Sequence, residues 1–294
     1  MNKIVLAGGT GFLGKYLAYQ FKARENEVIV ISRSEGDILW KDRGRLVNAL
    51  EGAGVVINLA GKSVDCRYNE SNKKAILQSR VETTRLIGES ILACKHPPQL
   101  WINSSTATIY RHAEDRPMTE DGGEIGKGFS VDVAKAWEKA FFDFRLPATR
   151  QVALRMAIVL GKDGGVMKPL KRLAKLGLGG KQGNGNQMFS WIHIEDVFRI
   201  ISFAMEHNEL QGVLNCSSPN PVTNKVLMFN LRKALGVPIG LPSPEWLLKI
   251  GAVLIRTETE LILKSRWVLP QRLLKSGFTF SYPTLTSAVE EIAD

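Results

Sequence analysis

The stretch Gly8-Gly9-Thr10-Gly11-Phe12-Leu13-Gly14 carries the plainest chemical signal in the chain. It follows a short apolar run at 3–7 and opens an amphipathic stretch at 12–26, where Leu13, Leu17 and Phe21 recur at helical spacing. Glycines at a strand-to-helix turn allow a tight reversal, a close approach of backbone to a diphosphate, and close packing of helix on strand. The amino end of the helix adds unpaired N–H groups and a partial positive charge. Gly8, Thr10, Gly11, Phe12, Leu13 and Gly14 are therefore the expected contacts to a dinucleotide diphosphate. A bare tight turn is the alternative. The strand before, the helix after and a second apolar strand at 27–32 favour the phosphate-binding reading.

That second strand ends in Ser32-Arg33-Ser34, about 20 residues beyond the turn, where an NAD site places an acid on the ribose 2′-hydroxyl. No acid stands at the strand end, and Glu35 lies two residues past Arg33. A guanidinium flanked by hydroxyls suits a 2′-phosphate, because Arg pairs planar oxyanions bidentately. NADP(H) is thus expected ahead of NAD(H), with Ser32 and Arg33 added to the cofactor set. A solvated loop arginine is the alternative.

The elements that must position these residues alternate between strand-like and helix-like runs. After 27–32 come a strand at 55–59, a helix at 71–94 closed by His96-Pro97-Pro98, and a strand at 100–104. A helix at 130–145 places Val133, Trp137, Ala140, Phe141 and Phe144 on one face, and a strand follows at 152–160. This alternation predicts an α/β fold, a doubly wound parallel sheet covered by helices. Residues 161–190 are expected to form a loop facing the substrate site, with 177–186 too rich in Gly and Asn for a regular element. A short strand at 191–194 enters a helix at Glu195-Asp196, and Thr223 is placed to N-cap a helix at 223–235. Beyond Pro238, prolines at 242, 244, 270 and 283 separate short helical pieces. The expected division is a dinucleotide-binding domain at 1–222 and a small, mainly helical accessory domain at 223–294.

Composition excludes some function classes. No apolar run approaches the roughly 20 residues that span a membrane, and the longest, near 246–255, is broken by Lys249. The opening MNKIVLAGGTG does not read as a signal peptide. Cys66, Cys94 and Cys216 lack metal-type spacing and read as reduced thiols in a cytoplasm, and no metal site is expected. The net charge of +10 concentrates in 162–181 and 225–275. Without a Lys/Arg block or a helix-turn-helix signature, a basic surface, or a field drawing in an anionic cofactor and substrate, is preferred to nucleic-acid binding.

GGTGFLG, the strand end NLAG, and the segments SSTATIY and WIHIEDV together resemble the extended short-chain dehydrogenase/reductases. SRVETTRL, LGLGG and GVLNCSSPNPVTN narrow the resemblance to an atypical "epimerase family protein" subgroup, whose small carboxy-terminal domain of unassigned role is similar to 240–294. The resemblance implies a Rossmann-like fold and an NAD(P) cofactor, with Ala60 and Gly61 lining the nicotinamide-side ribose. It places Arg80 where such proteins keep a cofactor-contacting asparagine. A surface ion pair near Glu82 or Glu89 is the alternative for Arg80.

In ordinary members a hydroxyl after the fifth strand and a Tyr-x-x-x-Lys on the next helix do the chemistry. Thr106 takes the hydroxyl position and Tyr110 closes SSTATIY. With the helix aligned on Glu138, the tyrosine falls at Ser130 and the lysine at Ala134. Shifts by one give Phe129 and Val133, or Val131 and Lys135, so no frame restores the pair. Phe189 replaces the arginine that sugar-nucleotide members use for a diphosphate. The expected function is an NADP(H)-binding oxidoreductase acting on a small carbonyl or hydroxyl compound. Thr106 would polarise the substrate oxygen, Tyr110 is a second candidate hydroxyl, and Gln187, Trp191 and His193 are candidate substrate contacts. Structural roles are the alternatives for Tyr110, Trp191 and His193. A cofactor-occupancy sensor or scaffold without catalysis is the alternative function.

Overall fold

In β1 (Lys3–Ala7) Ile4 and Leu6 belong to one apolar core while Val5 and Ala7 belong to another. Successive residues of a strand point to opposite faces, so a strand buried on both sides must be apolar throughout. The computed structural model describes residues 2–162, 164–248 and 263–293. After β1 the chain forms α1 (Phe12–Lys22), β2 (Glu27–Ser32), β3 (Ile38–Leu39), α2 (Arg43–Leu50), β4 (Val55–Asn58) and α3 (Glu70–Leu92). Then come β5 (Leu100–Thr106), α4 (Phe129–Phe142), β6 (Arg150–Met156), β7 (Ile158–Leu160), α5 (Met167–Leu173), β8 (Met188–Phe189) and β9 (Trp191–His193). The remaining described elements are α6 (Ile194–Glu206), β10 (Gly212–Cys216), β11 (Val222–Thr223), α7 (Asn224–Ala234), α8 (Gln271–Lys275) and α9 (Leu285–Ala293).

Seven parallel strands form the central sheet in the order β10-β6-β5-β4-β1-β2-β3. The chain winds outward from β1 through β2 and β3, then returns to place β4 on the other side of β1. This reversal opens a crevice at the carboxyl ends of β1 and β4, where such sheets bind ligands. The expected doubly wound α/β architecture is the observed one.

The expected strand at 152–160 is two strands. β6 ends at Met156, the Ala157 amide bonds to the Cys216 carbonyl at 2.9 Å, and β7 leaves the central sheet to pair with β9. An unbroken apolar run is equally suitable for both sheets, so hydrophobicity does not mark the break. Thr223 precedes α7 as expected, but its hydroxyl makes no capping bond and is buried without a partner.

The carboxy-terminal elements share cores with the rest of the chain. Leu273, Phe278 and Phe280 join the core of α1, α6 and the sheet, while α7 and α9 pack with Leu160, Met167 and Trp191. The helical pieces expected between 249 and 262 lie outside the described residues. Among the described residues no helix is long and apolar enough to cross a membrane.

Candidate functional site

The turn after β1 is held by its own packing. Gly8 adopts φ +79, and a side-chain carbon there would lie 2.8 Å from the Ala60 amide nitrogen. One at Gly9 would lie 2.7 Å from Val30, and one at Gly14 would lie 2.6 Å from the Gly8 carbonyl oxygen. Gly11 differs. Its φ of −76 suits any residue, and the nearest atom to an added carbon is 3.7 Å away. No acidic residue sits in the first turn of α1, whose leading amides lack intrahelical acceptors.

These amides border a groove of about 370 Å³ lined by Gly8, Gly11, Phe12, Leu13 and Gly14, with Gly165 and Val166 from the loop opposite. Added carbons at Gly161 and Gly164 would strike the Phe12 ring at 2.7 and 2.4 Å. The ring therefore packs under that loop and holds it beside the groove. Thr10 is exposed at the turn and does not line the groove. A bare backbone cradle at a helix amino end, with no carboxylate in its lining, fits a dinucleotide diphosphate.

At the end of β2, Arg33 is exposed, and among the described residues it has no ion-pair partner. Ser32 is turned inward instead. It is buried, its hydroxyl donates to the Glu35 carbonyl and accepts from the Glu35 amide. The serine shapes the loop, so of the two residues only Arg33 offers its side chain outward.

A buried polar ladder sets the far end of the cleft. Asn58 Nδ2 donates to Asn103 Oδ1 at 2.7 Å and to Thr84 at 3.1 Å, and Asn58 Oδ1 accepts from the Ala60 amide at 3.1 Å. Trp137 Nε1 also donates to Thr84, at 3.0 Å. These bonds tie α3 and α4 to the ends of β4 and β5 and fix the Ala60-Gly61 turn. Arg80 lies against that turn, with Nη1 donating to the carbonyls of Lys62 and Ile76, both at 3.0 Å. Its guanidinium carbon is 5.1 Å from the centre of the Trp137 ring, and burial depresses its pKa to about 10. Among the described residues Arg80 pairs with neither Glu82 nor Glu89, and Glu89 pairs with Arg43 instead.

Arg80 lines a cavity of about 380 Å³ together with Gly61, Lys62, Tyr68, Thr106, Ser130, Val133 and Trp137. Thr106 stands at the end of β5 as expected, its hydroxyl accepting from the Thr108 amide at 3.1 Å. Ser130 and Val133 come from the first turns of α4, whereas Ala134 is fully buried in the core. Lys62 and Tyr68 were not anticipated. Their one sequence signal is the position of 61–69 directly after the strand end NLAG.

The structure sets the other expected residues elsewhere. Tyr110 is buried, donating to Asn215 at 2.9 Å and accepting from Arg155 at 2.9 Å. Burial lifts its pKa against the opposing pull of Arg155. It does not line the cavity, because the turn at 107–109 carries it behind the end of β5. Trp191 is fully buried with Nε1 donating to the Asn220 carbonyl. His193 caps α6 by accepting from the Glu195 amide and contacts Glu291 at 3.0 Å. Gln187 is buried and donates to the Gln182 carbonyl. These three serve packing and loop anchoring, not the cavity wall. Of the 161–190 loop, 165–166 reach the groove, while 180–185 bond to 241–243 and α7.

Fold and cleft define a dinucleotide-binding protein of the doubly wound α/β class. The model of the NAD dependent epimerase/dehydratase family matches residues 4–217, and the chain belongs to that family. A domain of unknown function, DUF1731, matches residues 243–292. The chain is 35% identical to epimerase family protein SDR39U1 of Homo sapiens, covering 99% of each chain. It is 32% identical to epimerase family protein YfhF of Bacillus subtilis, covering 98% of this chain and 97% of that one. The crystal structure of the human protein with NADPH superposes with a TM-score of 0.89 at 35% identity, over 99% of this chain and 98% of that one.

Proposed function

We propose that the chain is an NADP(H)-dependent oxidoreductase acting on a small carbonyl or hydroxyl compound. One observation carries the reading: the glycine groove and the polar cavity adjoin, sharing Leu59, Ser104, Met156 and Val159 in their walls. A dinucleotide held by the glycine turn presents its nicotinamide end to that cavity. The human relative crystallised with NADPH supports the choice of cofactor, as does the outward Arg33. When bound, the dinucleotide supplies or accepts a hydride. Thr106 hydrogen-bonds the substrate oxygen. Tyr68 is the ionisable hydroxyl of the same wall and interacts electrostatically with Arg80, so it is the proton donor this reading assigns. A cytoplasmic setting is supported by the free Cys66, Cys94 and Cys216.

The test is NADPH oxidation, followed by absorbance, against a panel of small aldehydes and ketones. Turnover is expected with at least one member. Tyr68→Phe is expected to lower kcat by about a hundredfold, within the usual range for a general acid, while leaving NADPH affinity unchanged. A panel without any turnover removes the enzymatic reading. Calorimetry of Arg33→Ala is expected to show NADPH affinity falling about tenfold, as for loss of one charge-assisted phosphate contact, with NADH affinity unaffected. Equal wild-type affinity for NADPH and NADH would overturn the role of Arg33.

The sensor reading is favoured by a separate observation, the small side chains of Ser130 and Ala134 at the positions of the usual pair. It requires capture of a partner to change with NADPH occupancy, and capture that ignores NADPH removes it.

A further inference from the structure

Charge is distributed unevenly along the cleft. The glycine groove is lined by glycines, apolar residues and Ser104, with no charged side chain among its described residues. The adjoining cavity is lined by Arg80 and Lys62, with no Asp or Glu among its described residues. Neither cation has a described carboxylate partner. Among the described residues Arg80 hydrogen-bonds two backbone carbonyls, both through Nη1, and Lys62 forms no ion pair. A guanidinium this far withdrawn from water is normally matched by an anion. Its depressed pKa expresses the same unmet demand. Hydroxyls of Ser63, Thr106 and Ser130 complete a wall rich in donors.

We propose that this cavity takes an anionic substrate, a small carbonyl compound bearing a carboxylate or phosphate, with Arg80 as the anchor and Lys62 as the outer cation. The proposal rests on the oxidoreductase reading for the word substrate, but the anion site itself does not need it. The cofactor diphosphate is met by amides at the glycine turn, which leaves the Nε and Nη2 donors of Arg80 for a second anion. With Nη1 tied to two carbonyls and the guanidinium held over the Trp137 ring, the Nε–Nη2 edge is the one pre-oriented for bidentate pairing with an oxyanion. The cavity volume of about 380 Å³ suits a compound of few heavy atoms.

The experiment titrates NADP+-saturated full-length protein with oxamate, its neutral counterpart oxamide, and inorganic phosphate, reading tryptophan fluorescence and melting temperature. Oxamate or phosphate is expected to bind at least about tenfold more tightly than oxamide, as one charge-assisted pair requires. Preference for oxamate assigns a carboxylate substrate, and preference for phosphate assigns a phosphorylated one. Arg80→Gln is expected to lose about tenfold of that anion affinity while NADPH affinity moves by less than about threefold, and Arg80→Lys is expected to recover part of the loss. Equal binding of oxamate, phosphate and oxamide, or no binding of any, overturns the proposal. So does an Arg80→Gln protein whose NADPH affinity falls as far as its anion affinity, since Arg80 would then serve the cofactor. Failure of the wild type to bind NADPH overturns the oxidoreductase reading instead. The anion site is then decided by the same titrations on the cofactor-free protein.

Discussion

Gly11→Val is expected to leave the fold intact and to weaken NADPH binding about a hundredfold, because its side chain would fill the space at the helix amino end that a phosphate must enter. The backbone at Gly11 is already in a region open to every residue. An added carbon meets nothing closer than 3.7 Å. Gly11 is the N-cap of α1, so stability should fall by only about 1 kcal/mol, the cost of a poorer cap with no packing disturbed. Gly14→Val makes the opposite case. Its first added carbon would sit 2.6 Å from both the Gly8 carbonyl oxygen and the Gly9 Cα. Backbone cannot move aside as a side chain can, so a loss of about 3 kcal/mol is expected, at the upper end for overpacking. Urea denaturation midpoints and fluorescence titration with NADPH separate the two effects. A Gly11→Val protein that keeps wild-type NADPH affinity would remove the glycine turn from the binding account.

Glu138→Ala is expected to destabilise the protein by about 3–5 kcal/mol, because it strands the buried charge of Arg155. Glu138 and Arg155 are 9% and 8% exposed. Arg155 donates to both carboxylate oxygens at 2.8 Å, and Ser105 donates to the same carboxylate at 2.6 Å. The network continues through Tyr110 to Asn215, which donates to the Leu269 carbonyl at 3.0 Å. It thus joins β5, β6, α4 and β10 to the carboxy-terminal segment. Replacing both charges, as in Glu138→Leu with Arg155→Met, is expected to restore most of the loss, since neither charge is then buried alone. A Glu138→Ala midpoint in urea equal to wild type would show that the pair contributes nothing. Because Tyr110 belongs to this network, Tyr110→Phe should lower the midpoint while sparing turnover, the reverse of Tyr68→Phe.

The dinucleotide end of the site was legible because its chemistry is local. Turn, strand and helix are contiguous from Lys3 to Lys22, and the glycines are demanded by backbone contacts within that stretch and its nearest neighbours. The adjoining cavity was much less legible. Tyr110 and Thr106 share one short motif, yet the turn at 107–109 sends one into the core and leaves the other on the cavity wall. His193 and Trp191 have residue types suited to a ligand, but Glu195, Glu291 and Asn220 already satisfy their polar atoms. Such partners are distant in sequence, so no spacing rule reveals them.

The sequence alone determined the parallel α/β sheet, the glycine turn and the exposed arginine after β2, since each follows from residue type and period along one continuous segment. Only the tertiary structure decided that β6 and β7 part at Ala157, that Tyr110 is sequestered by Arg155 and Asn215, and that Arg80 and Lys62 share a cavity with no carboxylate among its described residues. The reason is physical. Burial and charge balance depend on which surfaces meet when α3, α4 and the strand ends pack together, and that meeting has no signature in the order of residues along the chain.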